Sequence, residues 1–431
     1  MALNPITTVS PNGSINHHLS RRTFLRTLRD ASTGVALAAL AGGNVFAMEP
    51  NEKASSKPIV FVRFDGGASL FDTFEMEPHS GVDRIYEPIG TSVTGLKISQ
   101  GLPQLARQMD KMMLIKSLAH NEGNHFHAQA IMTIGNHEEI GGENSLNYRD
   151  PGRFIELRKQ QLPPEGLSGV VLNSSYGFTN PIGLVDGLEL HAKKTEKGDY
   201  TNPFGNAPEL AARRPVVESL INDFESAVNV TLPETESFVR SRSAGFRTLE
   251  KDLGGAFNLD TASSKDRERY GVGELGTFAK AALIARRLVE KNVPVISIAH
   301  GDFDYHSGIK RFMDGHLPKV DKPLAALIED VDALGGIVVF TTEFARTPKI
   351  NGGNGRDHWP GANFGAISGL NPGRVVGKID SGGKAVYPLP AEKLLPTAIY
   401  AAGYKPLYVR ANGGVLTQVK VDGFNESELS T

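Results

Sequence analysis

The stretch that decides the fold is residues 277–306, TFAKAALIARRLVEKNVPVISIAHGDFDYH. Over 278–290 apolar residues recur at helical spacing, and Arg286-Arg287 sit near the C-terminal end, where the helix dipole favours cations. Residues 294–299 then read as a buried strand with Val295-Ile296-Ser297-Ile298 at its middle. The pattern repeats downstream. Residues 320–334 predict a helix stopped by Gly335-Gly336, and Ile337-Val338-Val339-Phe340 predicts a second apolar strand. Helix, strand, helix, strand, with unbroken apolar strands, means parallel strands covered on both faces.

Working outward, residues 58–64 (PIVFVRF) are a β-branched and aromatic run ended by Asp65-Gly66-Gly67, a strand entering a turn. Residues 102–108 predict a short helix, 112–118 a strand, 128–134 a helix and 169–172 a short strand. From about 190 to 264 turn residues alternate with Lys/Glu-bearing helical segments and no clear strand. The expected class is therefore α/β. A mostly parallel central sheet carries helices on both faces, within a domain spanning 48–431 that contains a largely helical insertion or cap over about 190–264.

Composition narrows the function. The chain has 431 residues, 46 Lys plus Arg against 48 Asp plus Glu, and a formal net charge of −2. No broad basic field exists to hold a nucleic acid or an anionic membrane. Cysteine is absent, which excludes disulfides, thiolate metal sites, iron–sulfur clusters and cysteine nucleophiles. Any metal must be held by Asp, Glu and His. The chain contains no GxxxxGK[ST], no GxGxxG after a strand and no GxSxG elbow, so nucleotide-dependent and serine-hydrolase chemistry lack their usual frames.

The N-terminus reads Ser20-Arg21-Arg22-Thr23-Phe24-Leu25-Arg26, then an Ala/Gly-rich apolar run over 31–40, then Val45-Phe46-Ala47. This is a charged region, a short apolar region and a small-x-small cleavage site. It resembles a twin-arginine signal, which implies removal of residues 1–47, export of a folded chain to the periplasm, and the Tat translocase as a transient partner. No other stretch approaches 18 apolar residues, so the mature chain is not expected to span a membrane.

The predicted strands end in acid-bearing loops: Asp65, then Asp302 and Asp304, then Glu343. In open parallel sheets the carboxyl ends of the strands share one edge, where ligands bind. Carboxylates gathered there repel one another, and a divalent cation is the simplest compensation. The histidines follow the same loops. Of twelve in the chain, ten lie beyond residue 47, and these include His120, His125, His127 and His137, then His300, His306 and His316, and His358 in Arg356-Asp357-His358. Asp302-x-Asp304-x-His306 offers two carboxylates and an imidazole within five residues, suited to a divalent ion such as Zn, Mn or Ca. His125-x-His127 can join as ligands or proton carriers. Arg346 and Arg356 are candidates to receive an anion, since a guanidinium suits phosphate or sulfate.

Four segments carry a family resemblance. They are Asp65-Gly66-Gly67 through Phe71-Asp72-Thr73-Phe74, residues 267–290 (RERYGVGELGTFAKAALIARRLVE), residues 301–306 (GDFDYH), and residues 342–358 (TEFARTPKINGGNGRDH). In this order they resemble the DUF1501 family of exported bacterial proteins, within the alkaline phosphatase/sulfatase-like superfamily. The resemblance implies up to two divalent metals at the carboxyl edge of the sheet. It assigns Asp65, Asp304, His306, Glu343 and His358 as ligands, with Asp302 beside them and Asp357 orienting His358. Two departures stand out. Phe344 follows Glu343 where the superfamily has a histidine, and His125 falls near the place of its hydroxyl nucleophile, with Ser117 and Thr133 the nearest hydroxyls. Two functions follow as expectations. One is a metal-dependent hydrolase of phosphate or sulfate esters, with His125, His127 and Arg346 in the chemistry. The other is a non-catalytic exported module that binds metal or an anionic glycan.

Overall fold

The computed structural model describes residues 57–134, 167–173, 188–203 and 253–402, with the short segments Ile6–Val9, Ile15–His18 and Glu428–Ser430. The expected signal peptide lies outside the described residues apart from two of those short segments, as do residues 204–252 of the expected insertion.

In chain order the elements that position the site are β1 (Ile59–Phe64), α1 (Pro103–Ala106), β2 (Met112–Ala119), α2 (His125–Ile134), β3 (Leu167–Asn173) and β4 (Leu188–Lys193). They continue with α3 (Thr277–Glu290), β5 (Val295–His300), α4 (Ile309–Ala333), β6 (Ile337–Thr342), β7 (Asn363–Ser368), β8 (Val375–Val376), β9 (Leu389–Pro390) and α5 (Leu394–Ala401).

The strands form one sheet in the order β8-β2-β7-β6-β1-β5-β3-β4, with β9 also on β2. Pairing is parallel everywhere except where β7 meets β6 and β2. The sheet is therefore mostly parallel, as the apolar strands required. Strands β1, β5 and β6 are buried at every position. Alternation splits their side chains between two cores. Val60, Val62 and Phe64 face a layer with α3 and α4, while Ile59 and Phe61 face a layer with α2 and α5.

Three differences from the sequence expectation have physical causes. Helix α4 begins eleven residues earlier than expected and runs through Pro318 and Pro323. Its buried face, Ile309, Met313, Leu317, Val320, Leu324, Leu327, Ile328 and Val331, holds the helical period across both prolines, so packing outweighs the missing backbone donors. Strand β4 occupies the start of the expected helical insertion, because it pairs with β3 over its whole length as an edge strand. Strand β7 was not expected; it is buried throughout between β6 and β2.

Helix α1 is capped from a distance. The buried Asp321 of α4 accepts from the Gln104 and Leu105 amides at 2.9 and 2.8 Å, donors that a short helix leaves unpaired. This ties the front of the fold to the helix that follows the site loop.

Candidate metal centre

Strands β1, β2, β5 and β6 run in the same direction, so their carboxyl ends share one edge. The candidate residues sit in the loops that leave it. Asp65-Gly66-Gly67 follows β1, with φ of +103° and +74° at the two glycines. A Cβ on Gly66 would lie 2.6 Å from the Asp304 amide nitrogen, so only glycine lets the β1 and β5 loops touch. The Gly66 amide donates to Glu343 Oε1 at 2.7 Å, which draws in the β6 loop as well. The glycine-rich residues 352–355 strap the His306 loop. Gly308 and Ile309 amides donate to Gly353 and Asn354 carbonyls, and a Cβ on Gly355 would lie 2.1 Å from the His306 carbonyl carbon. Asn124 caps α2, accepting from the Phe126 amide at 2.9 Å, and so sets His125 on the first turn.

Four side chains meet at this edge: His125, Asp304, His306 and His358. Each imidazole is oriented from behind by an oxygen on Nδ1. His125 donates to Glu343 Oε1 at 2.7 Å, His306 to Asp357 Oδ1 at 2.7 Å, and His358 to the Gly123 carbonyl at 2.7 Å. An oxygen acceptor fixes the Nδ1–H tautomer and leaves the Nε2 lone pair facing forward. The three Nε2 atoms converge on the Asp304 carboxylate, at 3.5 Å from His125, 2.9 Å from His306 and 3.5 Å from His358. His306 and His358 Nε2 lie 3.1 Å apart. Lone pairs that close to one another and to a carboxylate repel unless a cation, either a proton or a metal ion, sits among them. Ligand atoms of His125, Asp304 and His358 all lie within 4.8 Å of one another. The His125 Nε2 is buried and has no hydrogen-bond partner. Phe344 fills the floor, its ring 4.8 Å from the His125 ring and 4.6 Å from that of His358. The outer side is open, with the Asp304 side chain 49% and the His306 side chain 47% exposed.

The electrostatics favour positive charge here. Burial pushes the His125 imidazole down, but the Asp304 and Glu343 carboxylates beside it outweigh this and carry it up to about 9. Burial likewise opposes the charge on Asp304, yet His125, His358 and Arg346 hold it well below the usual carboxylate range. Burial of Glu343 is offset by His125 and the Gly66 amide, and its carboxyl too is held low. A proton and a metal ion compete for such a pocket.

The remaining expected residues are placed differently. Glu343 is fully buried, and its oxygens accept from Gly66, His125 and Thr342, so it orients His125 from behind. Both Asp65 oxygens are engaged by the Arg63 guanidinium. Asp302, exposed and left-handed at φ +78°, is not among the converging ligands. His127 Nδ1 pairs with Glu122 at 3.2 Å, away from Asp304. Asp357 orients His306 rather than His358. Arg346 is fully buried. It donates to the Gly66, Gly67 and Arg356 carbonyls and to Asp304 at 2.5 Å, clamping the site loops together rather than facing solvent for an anion. Arg356 is equally committed, to both Asp72 oxygens and to the Thr347, Pro348 and Asp83 carbonyls. His300 and His316 form a separate buried pair, Nε2 to Nε2 at 2.8 Å, with Tyr305 Oη on His316 Nδ1 at 2.6 Å. Sequence reasoning missed Arg63, although a charge inside the apolar run IVFVRF was its signal, and missed Gly123, whose contribution is a carbonyl and carries none.

His125, Asp304 and His358 together offer donor atoms suited to a divalent cation, and His306 Nε2 stands beside them, 2.9 Å from Asp304 Oδ1 and 3.1 Å from His358 Nε2. Among the described residues no group of three donor atoms includes Asp65 or Glu343.

Several solved structures resemble this chain at low identity. A Ps i-CgsB structure in complex with k-i-k-neocarrahexaose shares 13% identity at a TM-score of 0.40, covering 81% of this chain and 72% of that one. The alkaline phosphatase of the Antarctic bacterium TAB5 shares 10% at 0.35, covering 81% and 99%. The soluble domain of lipooligosaccharide phosphoethanolamine transferase A from Neisseria meningitidis shares 9% at 0.36, covering 82% and 90%. At these values no substrate or residue role transfers. No curated protein matches the chain. The family model described as a protein of unknown function, DUF1501, matches residues 56–420, and the chain belongs to that family.

Proposed function

We propose that this chain is an exported, metal-dependent hydrolase of phosphate or sulfate esters. The observation that carries the metal centre is the convergence of three Nδ1-anchored imidazoles on Asp304, with a buried and unpartnered His125 Nε2 among them. A bound divalent ion would supply Lewis-acid polarisation of an ester oxygen. The protein supplies orientation. Glu343, Asp357 and the Gly123 carbonyl aim the imidazoles, as acceptors behind metal-bound histidines do. Arg346 holds Asp304 in place. The half-exposed outer face of Asp304 and His306 leaves room for an ester from solvent. The ester class rests on the family resemblance, and export by the twin-arginine route to the periplasm rests on the sequence of residues 20–47. Among the described residues no helix is long and apolar enough to cross a membrane.

A second reading is a non-catalytic module that binds metal or an anionic glycan. The committed donors of Arg346 and Arg356 favour it, since neither guanidinium faces an incoming anion. Hydrolysis of aryl phosphates and aryl sulfates by zinc- or manganese-loaded protein separates the two. Turnover lost with chelator and in Asp304→Asn supports the hydrolase. Metal-loaded protein inert on the whole panel supports the binding module.

A further inference from the structure

The superfamily resemblance implies two cations, with Asp65 and Glu343 among their ligands. The structure disagrees on the second. Arg63, the fifth residue of β1, points its guanidinium at Asp65 and engages both carboxylate oxygens, Nη2 to Oδ2 at 3.1 Å and Nε to Oδ1 closer still. Its side chain is 2% exposed. Burial works against its charge, but Asp65 and then Glu343 more than offset this and raise it further. Asp65 is thus already paired with an organic cation that cannot deprotonate, and Glu343 has its oxygens taken by the Gly66 amide, His125 and Thr342.

Charge balance points the same way. Asp65, Asp304, Glu343 and Asp357 at this edge face Arg63 and Arg346, which leaves two negative charges. One divalent ion neutralises them. A second would leave two positive charges with no counterion beside the buried Asp65, Glu343, Arg63 and Arg346, a costly excess.

We infer that the Arg63 guanidinium stands in for a second cation, so that the centre holds one divalent ion per chain, on the His125, Asp304, His306 and His358 side. The inference rests on the metal-centre reading above. It makes Arg63 a positioning residue that keeps Asp65 and Glu343 away from metal.

The test is metal counting on the full chain, stripped with chelator, reloaded with Zn²⁺ or Mn²⁺ and assayed by elemental analysis and titration calorimetry. One ion per chain is expected, lost in His358→Ala and in Asp304→Asn, and retained in Asp65→Asn. Arg63→Gln removes the organic cation and is expected to admit a second, weaker ion, whereas Arg63→Lys keeps the count at one. Two ions in the wild type overturn the inference and leave the metal centre standing. No ion in the wild type overturns the metal centre itself. If Arg63→Gln does not fold, the wild-type count together with Asp65→Asn still decides, because loss of the single ion in Asp65→Asn overturns the assignment.

Discussion

Replacing Arg356 by Met tests whether that guanidinium is structural. Arg356 and Asp72 are both fully buried, joined Nε to Oδ2 at 2.8 Å and Nη2 to Oδ1 at 3.0 Å. The remaining donors hold the Thr347, Pro348 and Asp83 carbonyls at 2.8, 2.5 and 2.5 Å. Met fills the volume but leaves the Asp72 charge uncompensated. Breaking a buried pair from one side costs about 3–5 kcal/mol, and three carbonyls losing a charged donor add to it less than additively. We expect a loss on the order of 4 kcal/mol, a large share of the stability of an ordinary fold, and for a chain of this size a fall in melting temperature of roughly 5 °C. Arg356→Lys should recover little, because a single ammonium cannot span a two-pronged carboxylate and three carbonyls. Arg356→Met with Asp72→Leu should recover part of the loss, since no buried charge then remains. The assay is urea denaturation followed by circular dichroism, with phosphate and sulfate titrations of the folded variant. Wild-type stability in Arg356→Met, combined with a selective loss of anion binding, would refute the structural role and return Arg356 to the substrate.

Three further outcomes follow from the same geometry. Gly66→Ala places a methyl 2.6 Å from the Asp304 amide at φ +103°, so it should cost about 2–4 kcal/mol and weaken metal binding in calorimetry; unchanged affinity would mean the β1 and β5 loops are not coupled. Asp321→Ala strips both acceptors from the start of α1 and should cost about 1–3 kcal/mol in urea denaturation, against no change if that cap is idle. His316 is pushed down to about 4 by burial from an ordinary 6.5, so the unfolded chain takes up a proton that the fold refuses. Stability should then fall as pH drops from 6.5 toward 4, by up to roughly 3 kcal/mol, and metal-free His316→Gln should lack that part of the decline; equal pH slopes in the two proteins would contradict it.

Much of the frame was legible because burial on both faces leaves a direct signature. The runs around Ile59, Val295 and Ile337 are mostly apolar and buried at every position, and parallel pairing follows from them. Acids at their ends had to share an edge for the same reason. Two things were not legible. Which acid binds an ion and which only supports another group depends on what stands behind it. Glu343 reads like a ligand in sequence, yet its oxygens are already taken by Gly66, His125 and Thr342. Asp65 likewise depends on Arg63, two residues back on the same strand face. The arginines could not be sorted either, because a guanidinium that receives an anion and one that ties down backbone carbonyls look alike in a string of letters. Strand β7 and the early turns of α4 were obscured by weak local signals that tertiary packing overrode.

The most direct test of the central claim is diffraction from zinc-soaked crystals, with the anomalous signal collected at the zinc edge. The geometry predicts one strong peak bounded by His125 Nε2, Asp304, His306 Nε2 and His358 Nε2, at about 2.0–2.2 Å from its ligands. A peak lying instead between Asp65 and Glu343, or no peak at saturating zinc, would contradict it.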